Sequence, residues 1–198
     1  MPLPSFTEAA DVVDYARGQL ARAVVDAKHP WHWPALVSAP AHARIVVLRA
    51  FDASDPSVSF YTDARSAKVG QLAASGGQVE LLCYHGRHRT QLRLGGRAVL
   101  LSDDDERRRL WSEQSPGQRR SYATERAPGT PLAGPGDGLP LTLPSEPTPA
   151  DLEAAFVNFA VYDVHVSRVD FLQLGQQGQR RCRWGASWRA EELTWVTP

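Results

Sequence analysis

Sulfur is scarce in this chain of 198 residues, which holds two cysteines and a single methionine. Cys83 and Cys182 each lie in a strand-like apolar run and form neither metal-type nor redox-type spacing. That excludes a disulfide framework and reads as two buried thiols in a reducing cytoplasm. Net charge is also missing, since 22 Lys and Arg balance 22 Asp and Glu. No global field draws the protein to nucleic acid or an anionic membrane, so any anion site must be local. No apolar run approaches the roughly 18 residues of a membrane span, and the opening MPLPSFTEAADVVDYA lacks the basic start and apolar core of a signal peptide. Neither membrane insertion nor secretion is expected. Internal repeats, a Walker loop, a Gly-x-Ser-x-Gly elbow and a dinucleotide glycine fingerprint are absent as well.

What remains is an ordinary globular composition, 42% hydrophobic and 22% charged, enough for one domain over 1–198 with a real core. Ser5 and Glu8 form a capping-box pattern, and Ala9, Val12, Val13, Ala16, Leu20 and Val24 recur at helical spacing, so a helix is predicted over about Thr7 to Val25. The β-branched run Ala43 to Phe51 and the segment Val58 to Thr62, joined by a turn composition, predict a hairpin. A short helix follows from Ser66 to Ala74, stopped at Gly76-Gly77. Val79 to Tyr84 and Arg89 to Leu101 predict a second hairpin, with Gly95-Gly96 marking a bulge. Asp103 to Ser112 places acids first and arginines last, as a helix dipole favours. Strands are predicted near Phe156 to Val164, Val169 to Leu174, Arg180 to Trp184 and Leu193 to Val196. Between them Ala127 to Pro149 holds seven prolines and four glycines, where regular structure should fail. The fold class is mainly β with flanking α: a closed or nearly closed barrel, with a sandwich open as the alternative.

Four side chains suit a phosphate. Arg44 and Arg65 offer bidentate forks, Lys68 a mobile charge, and Ser66 a hydroxyl at a helix start. A cationic helix start has the wrong sign for the dipole, a conflict that a bound anion would resolve. His85 and His88, with Cys83 near, lie in a turn whose spacing does not place them on one face, so no metal is expected. The paired arginines near 119 and 180 lack an aromatic platform for RNA.

The segments RIVVLR (44–49), FYTDARSAK (60–68) and RHRTQLRLGG (87–96) resemble, in order and spacing, the FMN-binding segments of the pyridoxamine 5'-phosphate oxidase-like split-barrel flavoproteins. The resemblance runs from about Trp33 to Pro198 and implies a split β-barrel of the FMN-binding type. It assigns the phosphate to Arg44, Arg65, Ser66 and Lys68, and edge-on ring contacts to the backbone of Ile45, Val46, Val47 and Leu48. Arg49 falls where the oxidase has a lysine near the substrate. Tyr61 and Thr62 match the family's Tyr-Thr pair, Gln91 its flavin-facing glutamine, and Arg183 its flavin-contacting arginine. It further implies a homodimer with FMN at the interface, in which 118–132 resembles the region that reaches the partner's flavin. The implied function is an FMN-dependent oxidoreductase acting on a small-molecule substrate, with no side chain assigned as catalytic acid or base. Arg49 and Arg181 would anchor an anionic substrate. Leu172 stands where the oxidase has tryptophan, and Gln179 and Arg181 where it has arginine and histidine. Those departures argue against the oxidase proper, which stays as an alternative beside a non-catalytic flavin- or haem-binding module.

Overall fold

The computed structural model describes every residue except 1–3, 5, 176 and 177. Helix α1, Ala9–Val25, opens the described fold and lays Val12, Val13, Ala16, Leu20 and Ala23 into the core. Glu8 is its N-cap, and the Asp11 carboxylate accepts from the Glu8 amide at 3.4 Å. Ser5, expected to share the cap, lies outside the described residues. Nine strands follow: β1 Ala35–Ser38, β2 His42–Ile45, β3 Leu48–Asp52, β4 Ser57–Asp63, β5 Gln78–His85, β6 Thr90–Leu100, β7 Phe159–Gln173, β8 Arg180–Gly185 and β9 Thr194–Val196. Helices α2, Ala67–Ala74, α3, Asp104–Ser112, and α4, Pro116–Arg120, flank them. None of the described helices is long and apolar enough to cross a membrane.

All strand pairs are antiparallel, in the order β2-β1-β5-β6-β7-β4-β3, with β8 on β7 and β9 on β8. Strand β7 is the spine. Nearly its whole length pairs β6 along one edge, while its other edge is divided, Phe159 to His165 pairing β4 and Arg168 to Gln173 pairing β8. This is the split β-barrel. Alternation sets its two faces: Leu81, Cys83, Leu92, Leu94, Val169, Phe171 and Cys182 are buried inside, and the residues between them form the outer face. A second apolar cluster of Trp111, Tyr122, Ala155, Phe156, Phe159 and Val161 lies under α3.

The structure corrects four expectations. Ala43 to Phe51 is two strands: β2 turns back on β1, a strand that sequence reasoning missed, and only β3 pairs β4. The break falls at Val46, whose amide donates to the Pro34 carbonyl at 3.0 Å and so leaves the hairpin ladder. Phe156 belongs to a 3-10 turn over Glu153–Asn158, so the next strand starts at Phe159. The two strands predicted around Val164 and Val169 are one, because the register shift at Gly95/Gly96 of β6 absorbs Ser167 without ending β7. Helix α4 was also unforeseen, being one turn long with Pro116 at its start and Ser115 capping it. The expected bulge is present. A Cβ at Gly96 would overlap the His165 carbonyl oxygen, so only glycine permits this approach of β6 to β7. No helix or strand forms in 127–149.

Candidate functional site

The end of β4 and the start of α2 gather the polar side chains. Thr62 and Asp63 close β4, and Ser66 is the N-cap of α2. The Ser66 hydroxyl does not cap the helix. It accepts instead from Lys68 Nζ at 2.9 Å, while Thr62 Oγ1 accepts from the same ammonium at 2.7 Å. Thr62 and Ser66 are buried, and Lys68 is half-buried.

Arg44 reaches this corner from β2. It pairs Leu36 across β1, so its side chain stands on the inner face, shared with buried Leu36 and Ser38. Its Nη1 donates to Ser38 Oγ at 2.7 Å, the His42 carbonyl at 2.8 Å and the Leu36 carbonyl at 3.4 Å, and its Nη2 donates to Gln71 Oε1 at 2.6 Å. Burial pushes the Lys68 pKa down and the nearby Arg44 charge pushes it further, opposed by Asp63. Burial also lowers Arg44. Among the described residues neither cation forms an ion pair, since the nearest acid, Asp63, is engaged by Arg65.

Arg65 is therefore placed differently from Arg44 and Lys68. Its Nε and Nη2 grip the Asp63 carboxylate at 3.0 and 2.7 Å, and Nη1 and Nη2 donate to the Thr124 carbonyl and Oγ1, each at 2.9 Å. The fork fastens the β4–α2 corner to the segment after α4. It does not point at Lys68's open side.

Between β2 and β3 the backbone leaves the strand ladder. Val47 makes no backbone hydrogen bond among the described residues, while Ile45 pairs Ala35 and Leu48 pairs Phe60. Arg49, on the irregular start of β3, lies with its guanidinium carbon 5.4 Å from the Tyr61 ring centroid. Its Nε is buried without a partner, and no carboxylate pairs with it among the described residues. Burial raises Tyr61, with Arg49 opposing, and pushes Tyr122 up to about 12, again with Arg49 opposing. Both phenols stay protonated at neutral pH.

Gln91 and Arg183 stand elsewhere. Gln91 pairs Tyr84 and Leu172, and Leu172 pairs Arg181. Arg183 pairs Asp170, which pairs Arg93. These positions alternate with the buried interior residues, so Gln91, Arg181 and Arg183 share the outer face. Asp170 holds the two arginines, accepting from Arg181 at 3.0 and 2.9 Å and from Arg183 at 2.8 Å. The arginine bonds outweigh burial and hold its carboxyl below the usual range. A cleft of about 490 Å³ opens there, lined by Glu80, Arg93, Arg168, Arg183, Glu192 and others. One chain thus brings Arg44, Thr62, Ser66 and Lys68 together and sets Gln91 and Arg183 on the opposite face of the sheet. Sequence reasoning missed Gln71, Ser38 and Asp170. Gln71 sits three residues after Lys68 on α2, a spacing that places both on one side of a helix. Asp170, between Arg168 and the arginines of β8, carried a charge signal of its own.

Residues 24–102 match the family model described as pyridoxamine 5'-phosphate oxidase, FMN-binding domain. A pyridoxamine 5'-phosphate oxidase-related, FMN-binding protein from Nostoc punctiforme PCC 73102 superposes with a TM-score of 0.66 at 23% identity, over 93% of this chain and 96% of that one. PhzG from Burkholderia lata 383, solved in complex with tetrahydrophenazine-1-carboxylic acid, superposes with a TM-score of 0.68 at 20% identity, over 98% of each chain. No curated protein sequence matches. Over 24–102 the chain thus matches the FMN-binding domain model of pyridoxamine 5'-phosphate oxidase, and along nearly its whole length it shares the fold of these two proteins.

Proposed function

We propose that this chain is one 198-residue domain that binds FMN and works as a homodimeric oxidoreductase on a small anionic organic substrate. The observation that carries the reading is the pair Arg44 and Lys68, two partly buried cations side by side with no carboxylate between them. Such a pair is costly unless an anion joins it. A phosphate monoester fits the donor set: the free edge of Arg44, the third Lys68 proton, the Thr62 and Ser66 hydroxyls and the first amides of α2. Arg65 shapes this corner through Asp63 and Thr124.

The bare backbone at Val47, flanked by Ile45, Val46 and Leu48, suits the polar edge of a flat ring. Tyr61 closes the space beside it. Bound FMN would supply hydride and electron transfer. The chain's own part is to bind, orient and tune. Arg49, with its orphaned Nε over an aromatic ring, suits a carboxylate or phosphate on the substrate, and its fixed charge stabilises negative charge developing nearby. The ligand of the PhzG structure is a small carboxylic acid, which agrees in chemical class. Gln91 and Arg183, turned to the outer face, meet a cofactor held by Arg44 and Lys68 when they come from a second copy of the chain. Arg181 stands beside them as a further anion anchor. Leu172, Gln179 and Arg181 in place of the oxidase's Trp, Arg and His favour another substrate over pyridoxamine 5'-phosphate.

The test is direct. The purified chain, supplied with FMN and desalted, should keep flavin absorbance, run at twice its 21.8 kDa mass and bleach anaerobically with a reductant. Retention of riboflavin as tightly as FMN would reject the phosphate assignment. A flavin-loaded monomer would reject the shared site.

A further inference from the structure

Four acceptors surround the Arg44 guanidinium, and three of them, the His42 carbonyl of its own strand and the Leu36 carbonyl and Ser38 Oγ of β1, take Nη1. The fourth, Gln71 Oε1, comes from α2 and takes Nη2 at 2.6 Å. Nε and the second hydrogen of Nη2 have no acceptor among the described residues. An arginine side chain has several rotatable bonds, and its fork binds two oxygens at once only when its plane is fixed. Lys68 repels it from one side. These three bonds hold only the Nη1 end of the fork, and Gln71 is the one side chain among the described residues that holds the Nη2 end.

We infer that Gln71 is a positioning residue of the anion site: its amide oxygen locks the Arg44 plane against repulsion by Lys68 and so presents the Nε edge to a phosphate. This rests on the proposed phosphate reading. Gln71 is suited to the role because it is neutral. An acid there would hold Arg44 equally well but cancel the charge that the site exists to display, whereas an amide holds the plane and leaves the field intact. Gln71 also lies on the helix whose start carries Lys68, so one rigid turn sets both the cation and the brace of its neighbour.

The experiment compares the full chain with Gln71→Leu, Gln71→Glu, Arg44→Ala and the double variant Arg44→Ala/Gln71→Leu. Titrations follow quenching of FMN and riboflavin fluorescence. Loss of the brace should weaken FMN roughly fivefold to tenfold, leave riboflavin unchanged, and add nothing in the Arg44→Ala background. Gln71→Glu should also weaken FMN, by charge. Additive losses from Arg44→Ala and Gln71→Leu, or an equal loss for riboflavin, would overturn the inference. A second readout needs no ligand: the order parameter of the Arg44 Nε–H bond, read by NMR relaxation in the free chain, should fall in Gln71→Leu and stay high in Gln71→Glu. An unchanged order parameter in Gln71→Leu would refute the positioning role. A wild-type chain that takes up no FMN rejects the phosphate reading, and the order-parameter comparison then decides the role of Gln71 by itself.

Discussion

Replacing Lys68 with methionine should move two properties in opposite directions. Lys68 is half-buried, spends two of its three protons on Thr62 and Ser66, and meets no carboxylate. In the free protein its charge is therefore a burden: burial and Arg44 both lower its pKa. The sign follows by linkage. A lysine whose folded pKa lies below its unfolded value binds fewer protons folded than unfolded, so stability rises as pH climbs from the lowered pKa toward the ordinary lysine range. At neutral pH the charged form is held at a cost, which methionine, of similar length and apolar, removes. The free variant should match or exceed the wild type in urea, although Thr62 and Ser66 each lose a donor. With FMN the order reverses. A charge-assisted bond to phosphate contributes about 1.5–3 kcal/mol, so FMN affinity should fall roughly 10- to 150-fold.

Fluorescence titration and urea unfolding, run on the same preparations, measure both. Riboflavin is the control, since it lacks the phosphate and should bind both proteins alike. FMN affinity within twofold of wild type would refute the cradle, and a parallel loss of riboflavin affinity would point to a collapsed corner instead. Salt adds a further check: the difference between wild type and variant should shrink as ionic strength rises, because part of the attraction is long-ranged.

Arg65→Ala should behave as the reverse case, losing about 2–3 kcal/mol of unfolding free energy because Asp63, 7% exposed, loses its ion-pair partner and keeps only the residue 65 amide. Its FMN affinity, corrected for folded fraction, should change less than that of Lys68→Met. Gly96→Ala should cost about 2–4 kcal/mol in urea unfolding, since its Cβ meets backbone rather than a flexible side chain; a neutral result would mean the β6–β7 bulge can slide. His29 is buried, with Nδ1 accepting from the Trp31 amide and Nε2 bonded to Gln19 Oε1, and burial lowers its pKa to about 4. The folded state then binds fewer protons than the unfolded one between pH 4 and the ordinary histidine value of 6.5, so its contribution is complete above that range and lost as pH falls toward 4. His29→Asn, which keeps an acceptor for the Trp31 amide, should flatten that part of the stability profile.

The barrel was legible because its strands alternate, its turns carry Gly, Asp and Pro, and α1 has an apolar face. The failures share one cause. A strand such as Ala35–Ser38 is four residues long in a stretch broken by proline, and its identity comes from lying between β2 and β5 rather than from its own pattern. Likewise Val46 leaves its strand for a bond to Pro34, twelve residues back. At the site, residue type was readable and allegiance was not. Arg44, Arg65 and Lys68 look equivalent in sequence, yet Asp63 claims Arg65, two residues away, and leaves the other two unneutralised. Local spacing could have raised that pairing; only the fold shows that Thr124 completes it.

The divided edge of β7 ties architecture to assembly. Because β4 and β8 share that edge, the chain carries one sheet whose two faces have separate tasks: the inner corner by α2 concentrates Arg44 and Lys68, and the outer face by β8 carries Gln91, Arg181 and Arg183 around Asp170. Side chains on opposite faces of a sheet diverge, and no rotamer change carries Gln91 through the layer of Leu92 and Leu94 to Lys68. If both groups serve one cofactor, two chains must supply them, and symmetry then gives two equivalent sites. Ile45 at 61% and Tyr84 at 50% are exposed apolar residues of that sheet, and a second copy packed on them would take them out of water. Cofactor binding and dimerisation would then be linked equilibria, each strengthened by the other. Substituting Ile45 with aspartate should weaken both together, even though its side chain belongs to neither the phosphate corner nor the Asp170 cluster.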